Sequence, residues 1–283
     1  MTTPPGLLLT HPSGQTTHVQ ISSYTPPWPP STTILIQHGF ARHSAFWYHW
    51  IPALGAHHRI IRRDLRGHGF SSTPTPGSSY AYTLDTIIAE IIDTLDQLGE
   101  DKVHFIGEST SGMLGEVLAA RHPERLHSLT IISAPTHLPP PALEMFAFGH
   151  KDWPTACREL GSRGWAEALS KVPGTVSVPD PEYVEWWKDQ VGVSSAEGLA
   201  GYAEFLSGLD SRAYLKDIKV PMLILAPARS AATKVEEQRG IQAQVEGAML
   251  VVVDGRGHEI YVEKAEQCQR EVLRFIAEVE KAI

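Results

Sequence analysis

From Val103 to Gly112 the chain reads Val-His-Phe-Ile-Gly-Glu-Ser-Thr-Ser-Gly, a short apolar run that ends in a cluster of small residues. Directly after it, Met113, Leu114, Val117 and Leu118 recur at helical spacing as far as Arg121. A strand that turns sharply into a helix is half of a βαβ unit, and such units commit a chain to a parallel sheet with crossover helices. The signature repeats. Thr33–Ile36, Arg59–Arg62 and Leu129–Ile132 are short apolar runs rich in β-branched residues and bounded by turn residues, as buried parallel strands are. Between them, Thr83–Leu98 places Leu84, Ile87, Ile88, Ile91, Leu95 and Leu98 three and four apart, the stripe of an amphipathic helix. Leu7–Thr10 and His18–Tyr24 read as an antiparallel pair at the start, and Met222–Leu225 and Met249–Val253 as two late strands before a final helix, Glu263–Glu280.

The alternation breaks between Thr136 and Asp210, where helical patterns follow one another with Trp153, Trp165, Trp186 and Trp187 and no strand. This predicts a core of residues 1–135 and 211–283 interrupted by a helical lid, 136–210. The 283 residues suffice for one core with one insertion. A formal charge of -8, from 24 Lys and Arg against 32 Asp and Glu, argues against nucleic acid, because phosphate backbones select basic faces. The most basic stretch, His57–Arg66, is interrupted by apolar residues and Asp64 and reads as strand edge and loop. Cys157 and Cys268 form neither a disulfide framework nor a zinc spacing. The N-terminus lacks the basic and apolar regions of a secretory signal, and no 18-residue apolar run occurs, so a cytoplasmic protein without membrane contact is expected. No metal cluster or phosphate-cradling loop stands out, and Gly255-Arg256-Gly257 lacks the rest of a nucleotide fingerprint, so no cofactor is expected.

Three stretches carry chemistry. The turn at Ser109 would hold its hydroxyl beyond the strand end, with a free amide behind it at a helix N-terminus. In the pattern Gly-x-Ser-x-Gly, Ser111 stands where the second glycine belongs. After the strand Thr33–Ile36 comes Gln37-His38-Gly39-Phe40, whose amides can converge on Thr110; an oxyanion hole built from the N–H groups of Phe40 and Thr110 is expected. Third, Val253-Asp254-Gly255-Arg256-Gly257-His258 places a histidine on a glycine-rich loop after the last strand. The remaining histidines show no such context.

With these motifs on hand, the chain resembles capped members of the α/β-hydrolase fold, esterase-like and lactonase-like. Asp64-Leu65-Arg66-Gly67-His68-Gly69, His122-Pro123-Glu124-Arg125-Leu126 and Val220-Pro221-Met222 match family stretches in the expected order. The resemblance implies a mostly parallel eight-stranded sheet with helices on both faces and an inserted helical cap. It also implies Ser109 as nucleophile and His258 as base and acid.

One family element is missing. The carboxylate that orients the histidine normally follows the strand that here is Met222–Leu225, where Ser230 fills the slot; the alternative slot, after Leu129–Ile132, holds Ser133. Losing such a carboxylate costs about 10⁴ in turnover in one serine protease. Three resolutions stay open: a carboxylate from elsewhere such as Glu236 or Glu237, a hydroxyl or water at the ring, or chemistry other than acyl transfer. Glu108, expected to face away on the turn, and Asp254 are not expected to reach the imidazole. Phe40, Phe46, Trp47, Tyr48 and Trp50 with Trp186 and Trp187 suggest an aromatic, apolar cleft, with ordinary core packing the alternative for each. A substrate pocket of Gly39, Arg42, Trp47, Trp186 and Trp187 is expected, Arg42 either binding a substrate carboxylate or forming a surface salt bridge. The expected function is a cofactor-free serine hydrolase acting on an apolar ester or lactone, aromatic or macrocyclic. The alternatives are a lyase, a cyclase or a carbon–carbon-cleaving enzyme on the same scaffold, and a ligand-binding relative without turnover.

Overall fold

The computed structural model describes residues 6–282 except Pro27, Pro29, Pro30 and Pro76. Eight strands form one sheet: β1 (Leu7–Thr10), β2 (Thr16–Ser22), β3 (Thr33–Gln37), β4 (Arg59–Arg63), β5 (Val103–Glu108), β6 (Leu126–Ile132), β7 (Met222–Pro227) and β8 (Met249–Val253). Their spatial order is β1-β2-β4-β3-β5-β6-β7-β8. Only the β1–β2 and β2–β4 pairs are antiparallel; the five pairs from β4 to β8 are parallel. All residues of β3, β5 and β7 are buried, which is why these strands read as unbroken apolar runs rather than as alternating ones.

Short α1 (Ile51–Gly55) and α2 (Leu84–Gln97) lie on either side of β4 in sequence, and α3 (Thr110–Arg121) follows β5 after a single residue. Thr83 caps α2 by accepting the Thr86 N–H, and the buried Ile87, Ile88, Ile91 and Leu95 are the stripe visible in the sequence. Between β6 and β7 the chain forms α4 (Pro140–Ala147), α5 (Trp153–Ser170), α6 (Pro181–Val191) and α7 (Ala196–Ser207). Helix α5 packs on the other three and breaks at Gly161, whose φ of 70° and ψ of 164° leave the helical region. The two ends of this segment meet: His137 bridges Asp210, and the Ser211 N–H donates to the Thr136 carbonyl at 2.8 Å. The chain ends with α8 (Val235–Gln242), α9 (Ile260–Glu263) and α10 (Ala265–Glu280), the last packed on β6 and β7. Cys157 and Cys268 are free and buried. Among the described residues no helix is long and apolar enough to cross a membrane.

Candidate active site

Ser109 sits alone between β5 and α3 with φ 53° and ψ -126°, a left-handed conformation that costs a non-glycine residue on the order of 1–3 kcal/mol. Neighbouring packing holds it there. A Cβ on Gly39 would lie 2.6 Å from Glu108 Oε2 and 2.8 Å from Ser109 Cβ, so only glycine lets the loop after β3 approach the turn this closely. Ser111 explains its own departure from the motif: its hydroxyl donates to the His38 carbonyl at 2.5 Å, a tie that glycine could not make. The His38 ring fastens the same loop, accepting the Leu65 N–H at Nε2 and donating from Nδ1 to the Gly39 carbonyl.

Nε2 of His258 lies 2.9 Å from Ser109 Oγ. The backbone of His258 is clamped: its N–H donates to the Gly174 carbonyl at 3.0 Å, and its carbonyl accepts the Ser133 hydroxyl at 2.7 Å. Gly174 follows α5, so the segment inserted between β6 and β7 helps hold the histidine. Burial pushes the His258 pKa down to about 3, with the Arg42 guanidinium adding to the effect, so the ring is neutral across the physiological range.

Nδ1 of His258 faces Ser230 Oγ at 3.1 Å. Ser133, in the other family slot, reaches the histidine backbone instead of the ring. Glu236 is exposed beside Arg239, and Glu237 accepts the Thr136 N–H at 3.1 Å; neither is a partner of the ring. Asp254 pairs with Arg229 on the surface. Glu108 corrects the expectation that it faces away: its Oε1 lies 3.7 Å from His258 Nε2, and its Oε2 accepts the Gly39 N–H at 2.7 Å. The positive φ at Ser109 turns the chain back over the strand end, where a long glutamate side chain spans the gap that a strict in-and-out alternation would forbid.

The Phe40 N–H donates to the Thr110 hydroxyl at 3.2 Å, while the Thr110 N–H, at the first position of α3, has no acceptor within the helix. Phe40 and Thr110, whose amides are expected to form an oxyanion hole, both line the cavity at Ser109, and the Phe40 amide is occupied by a side chain.

The cavity at Ser109 and His258 is small, about 50 Å³, and its apolar wall is Phe40, Leu138, Phe146, Trp153, Trp165 and Leu169. An aromatic cleft was expected, but five of these side chains come from α4, α5 and the loop before α4, and Phe40 alone from the aromatics after β3. Of the expected pocket residues only Arg42 lines it. Gly39 spaces the loop from Glu108 and Ser109. Trp47 is core, stacked on Tyr261 with ring centroids 4.7 Å apart. Trp186 packs on Phe46 and Tyr48. Trp187 donates its indole N–H to Glu259 at 2.9 Å. Arg42 makes a buried ion pair, not a surface one: its Nη2 lies 2.7 Å from Glu259 Oε1, and its guanidinium stacks 4.6 Å from the Trp187 ring. Sequence reasoning missed Glu259, although a carboxylate adjoining His258 and an arginine beside the oxyanion loop were both visible as buried-pair candidates.

A left-handed serine at a strand-to-helix turn, facing a histidine from the loop after the last strand of a mostly parallel sheet, is the arrangement of one large family. The chain belongs to the alpha/beta hydrolase fold family, whose pattern it matches over residues 32–265. It is similar to 3-oxoadipate enol-lactonase 2 of Acinetobacter baylyi, 26% identical over 224 residues that span 78% of this chain and 80% of that protein. Among solved structures, the enol-lactonase from Burkholderia xenovorans superposes with a TM-score of 0.83 at 22% identity, over 96% of this chain and 100% of that one. The esterase from Exiguobacterium antarcticum superposes equally well, TM-score 0.83, at 17% identity over 96% and 100%. These two likenesses carry the fold alone.

Proposed function

We propose that this protein is a serine hydrolase that cleaves a carboxylic ester or lactone through an acyl-enzyme on Ser109. The observation that carries the reading is the 2.9 Å contact between Ser109 Oγ and His258 Nε2 at a turn whose strain exposes the hydroxyl. In this reading His258, neutral at working pH, takes the serine proton as Oγ attacks and gives it to the leaving oxygen as the tetrahedral adduct collapses. The N–H of Thr110 and the N–H of Phe40, released from the Thr110 hydroxyl, hold the developing oxyanion. Water then hydrolyses the acyl-enzyme by the same route in reverse.

Residues 136–210 act as the cap in this account. The cavity at Ser109 is narrow, so in this account α4 and α5 move outward to admit substrate. The wall selects a carbon-rich acyl group, and because Arg42 is already neutralised by Glu259, no free charge awaits a substrate carboxylate. A lactone substrate is supported by what the relative 3-oxoadipate enol-lactonase 2 is named for.

The test is a panel of p-nitrophenyl esters and lactones assayed with the wild type, Ser109→Ala and His258→Ala. Loss of about 10³-fold or more in both variants is expected. A second reading, a lyase or cyclase driven by His258 alone, draws on the lack of a carboxylate at Nδ1; it requires that Ser109→Ala keep substantial activity while His258→Ala loses it.

A further inference from the structure

We propose that Glu108 is the carboxylate that balances the positive charge of His258 during acyl transfer, acting from the Nε2 side of the ring rather than from Nδ1. The proposal rests on the serine-hydrolase reading above and names the group that the usual acid positions fail to supply.

The geometry is specific. Glu108 is the last residue of β5 and its side chain is 2% exposed. One carboxyl oxygen is fixed by the Gly39 N–H at 2.7 Å, which leaves the other 3.7 Å from the nitrogen that receives the serine proton. The charged and titratable groups around it are Arg42 from the loop after β3, and His258, Glu259 and Tyr261 from the segment after β8. Arg42 is committed to Glu259, so among the described residues Glu108 has no cation of its own except the ring of His258. A buried carboxylate without a partner is unstable as an anion. Burial accordingly raises the Glu108 pKa to about 7, against the opposing pull of Arg42 and the Gly39 N–H.

The same imbalance makes it useful. As Ser109 Oγ bonds to the acyl carbon, its proton passes to Nε2 and the carbonyl electrons move onto the oxyanion. The imidazolium so formed is the missing cation, and ionised Glu108 is stabilised by it and stabilises it in return. When the adduct collapses, the carbon–leaving-group bond breaks, the proton leaves Nε2 for the departing oxygen, and the ring is neutral again. Glu108 exchanges no proton in the cycle; it must be ionised before the step begins. Ser230 at Nδ1 then needs only to hold the ring in place.

The measurement is the second-order rate of labelling by a fluorophosphonate probe from pH 5.5 to 8.5, in wild type, Ser109→Ala, Glu108→Gln, Ser230→Asp and the double variant Glu108→Gln with Ser230→Asp. Glutamine retains an oxygen for the Gly39 N–H, and thermal melting verifies folding. The wild-type rate should climb with pH around a midpoint near 7 as Glu108 ionises, since His258, at about 3, titrates outside the range. Glu108→Gln should label about a hundredfold more slowly at pH 8 and lose the climb. Ser230→Asp, which supplies a carboxylate at Nδ1, should recover at least about tenfold in the Glu108→Gln background. A Glu108→Gln rate within threefold of wild type, with the climb retained, overturns the proposal and leaves the serine-hydrolase reading standing. Failure of Ser230→Asp to rescue also overturns it, because the loss then reports the Gly39 contact rather than the charge. A wild type that does not label, or a Ser109→Ala variant that does, removes the underlying reading and this proposal together.

Discussion

Ser230 Oγ stands 3.1 Å from Nδ1 of His258 while it accepts the backbone N–H groups of Ala232 and Thr233 at 3.1 and 3.2 Å. A hydroxyl oxygen has two lone pairs, and those amides with the Thr233 hydroxyl at 3.3 Å already crowd them, so the Nδ1–H of the tautomer that leaves Nε2 free to take a proton meets it only as one donor among several. Its grip on an Nδ1–H is therefore that of a shared, neutral hydrogen bond, worth about 1 kcal/mol. Ser230→Ala should lower kcat/KM for an aryl ester about fivefold, the equivalent of that energy. A loss of about 10³-fold or more would mean that the hydroxyl carries the role of the missing acid. Weak anchoring also favours leaving groups that need little protonation. Aryl ester and anilide of one acyl group should differ strongly in rate, and comparable rates would contradict this.

Arg42 and Glu259 tie the loop after β3 to the segment after β8, and Trp187 and Tyr183 of α6 both donate to the same glutamate. Glu259 is fully buried, so its removal strands a guanidinium and leaves two aromatic donors without their acceptor. Glu259→Ala should cost about 3–5 kcal/mol by urea denaturation, the usual loss when one partner of a buried pair goes. A change under 1 kcal/mol would show that α6 docks by packing alone.

Phe146 is only partly buried and forms one wall of the 50 Å³ cavity against Trp153, with ring centroids 4.8 Å apart. Truncating it to alanine should shift the preference among p-nitrophenyl esters toward longer or ring-bearing acyl chains with little loss of folding stability. An unchanged chain-length profile would place the acyl group elsewhere.

Stability should peak close to neutral pH, His11, His43, His49, His58 and His127 adding to the histidines named next because burial lowers them too. Burial lowers His38 well below its ordinary value, His68 to about 4, and His104 and His258 to about 3, so between those values and about 6.5 the unfolded chain binds more protons and stability rises with pH. Burial raises Glu108 to about 7 and Glu116 to about 8, so from about 4.5 upward the folded chain holds the extra protons and stability falls as pH rises through those values. The histidines outnumber the glutamates below 6.5 and drop out above it. Melting temperatures from pH 4.5 to 8.5 test this; a monotonic rise to pH 8.5 would contradict it.

The sheet was legible because its strands carry local signals: β3, β5 and β7 are buried throughout, and short apolar runs bounded by turn residues mark them. Ser109 and His258 were legible because each is fixed by neighbours in sequence, glycines and small residues that set a turn. The pocket was not. Which face of α4 or α5 meets Ser109 depends on how helices pack over the strand ends, so Trp153 and Trp165, not Trp47, Trp186 and Trp187, line the cavity. Glu108 was misplaced for a related reason: strand alternation governs a side chain inside a sheet, whereas at the strand end the left-handed turn and the bare Gly39 decide where a carboxylate reaches. Its adjacency to a serine elbow, with a glycine opposite, was the available signal.

An activated Ser109 nucleophile is the premise of the proposed function. Intact-protein mass spectrometry after fluorophosphonate treatment, with peptide mapping and with Ser109→Ala alongside, addresses this without knowledge of the substrate. A single adduct on the wild type, mapped to Ser109, and none on the variant is the expected result. An unlabelled wild type, or an adduct that persists in Ser109→Ala, would contradict it.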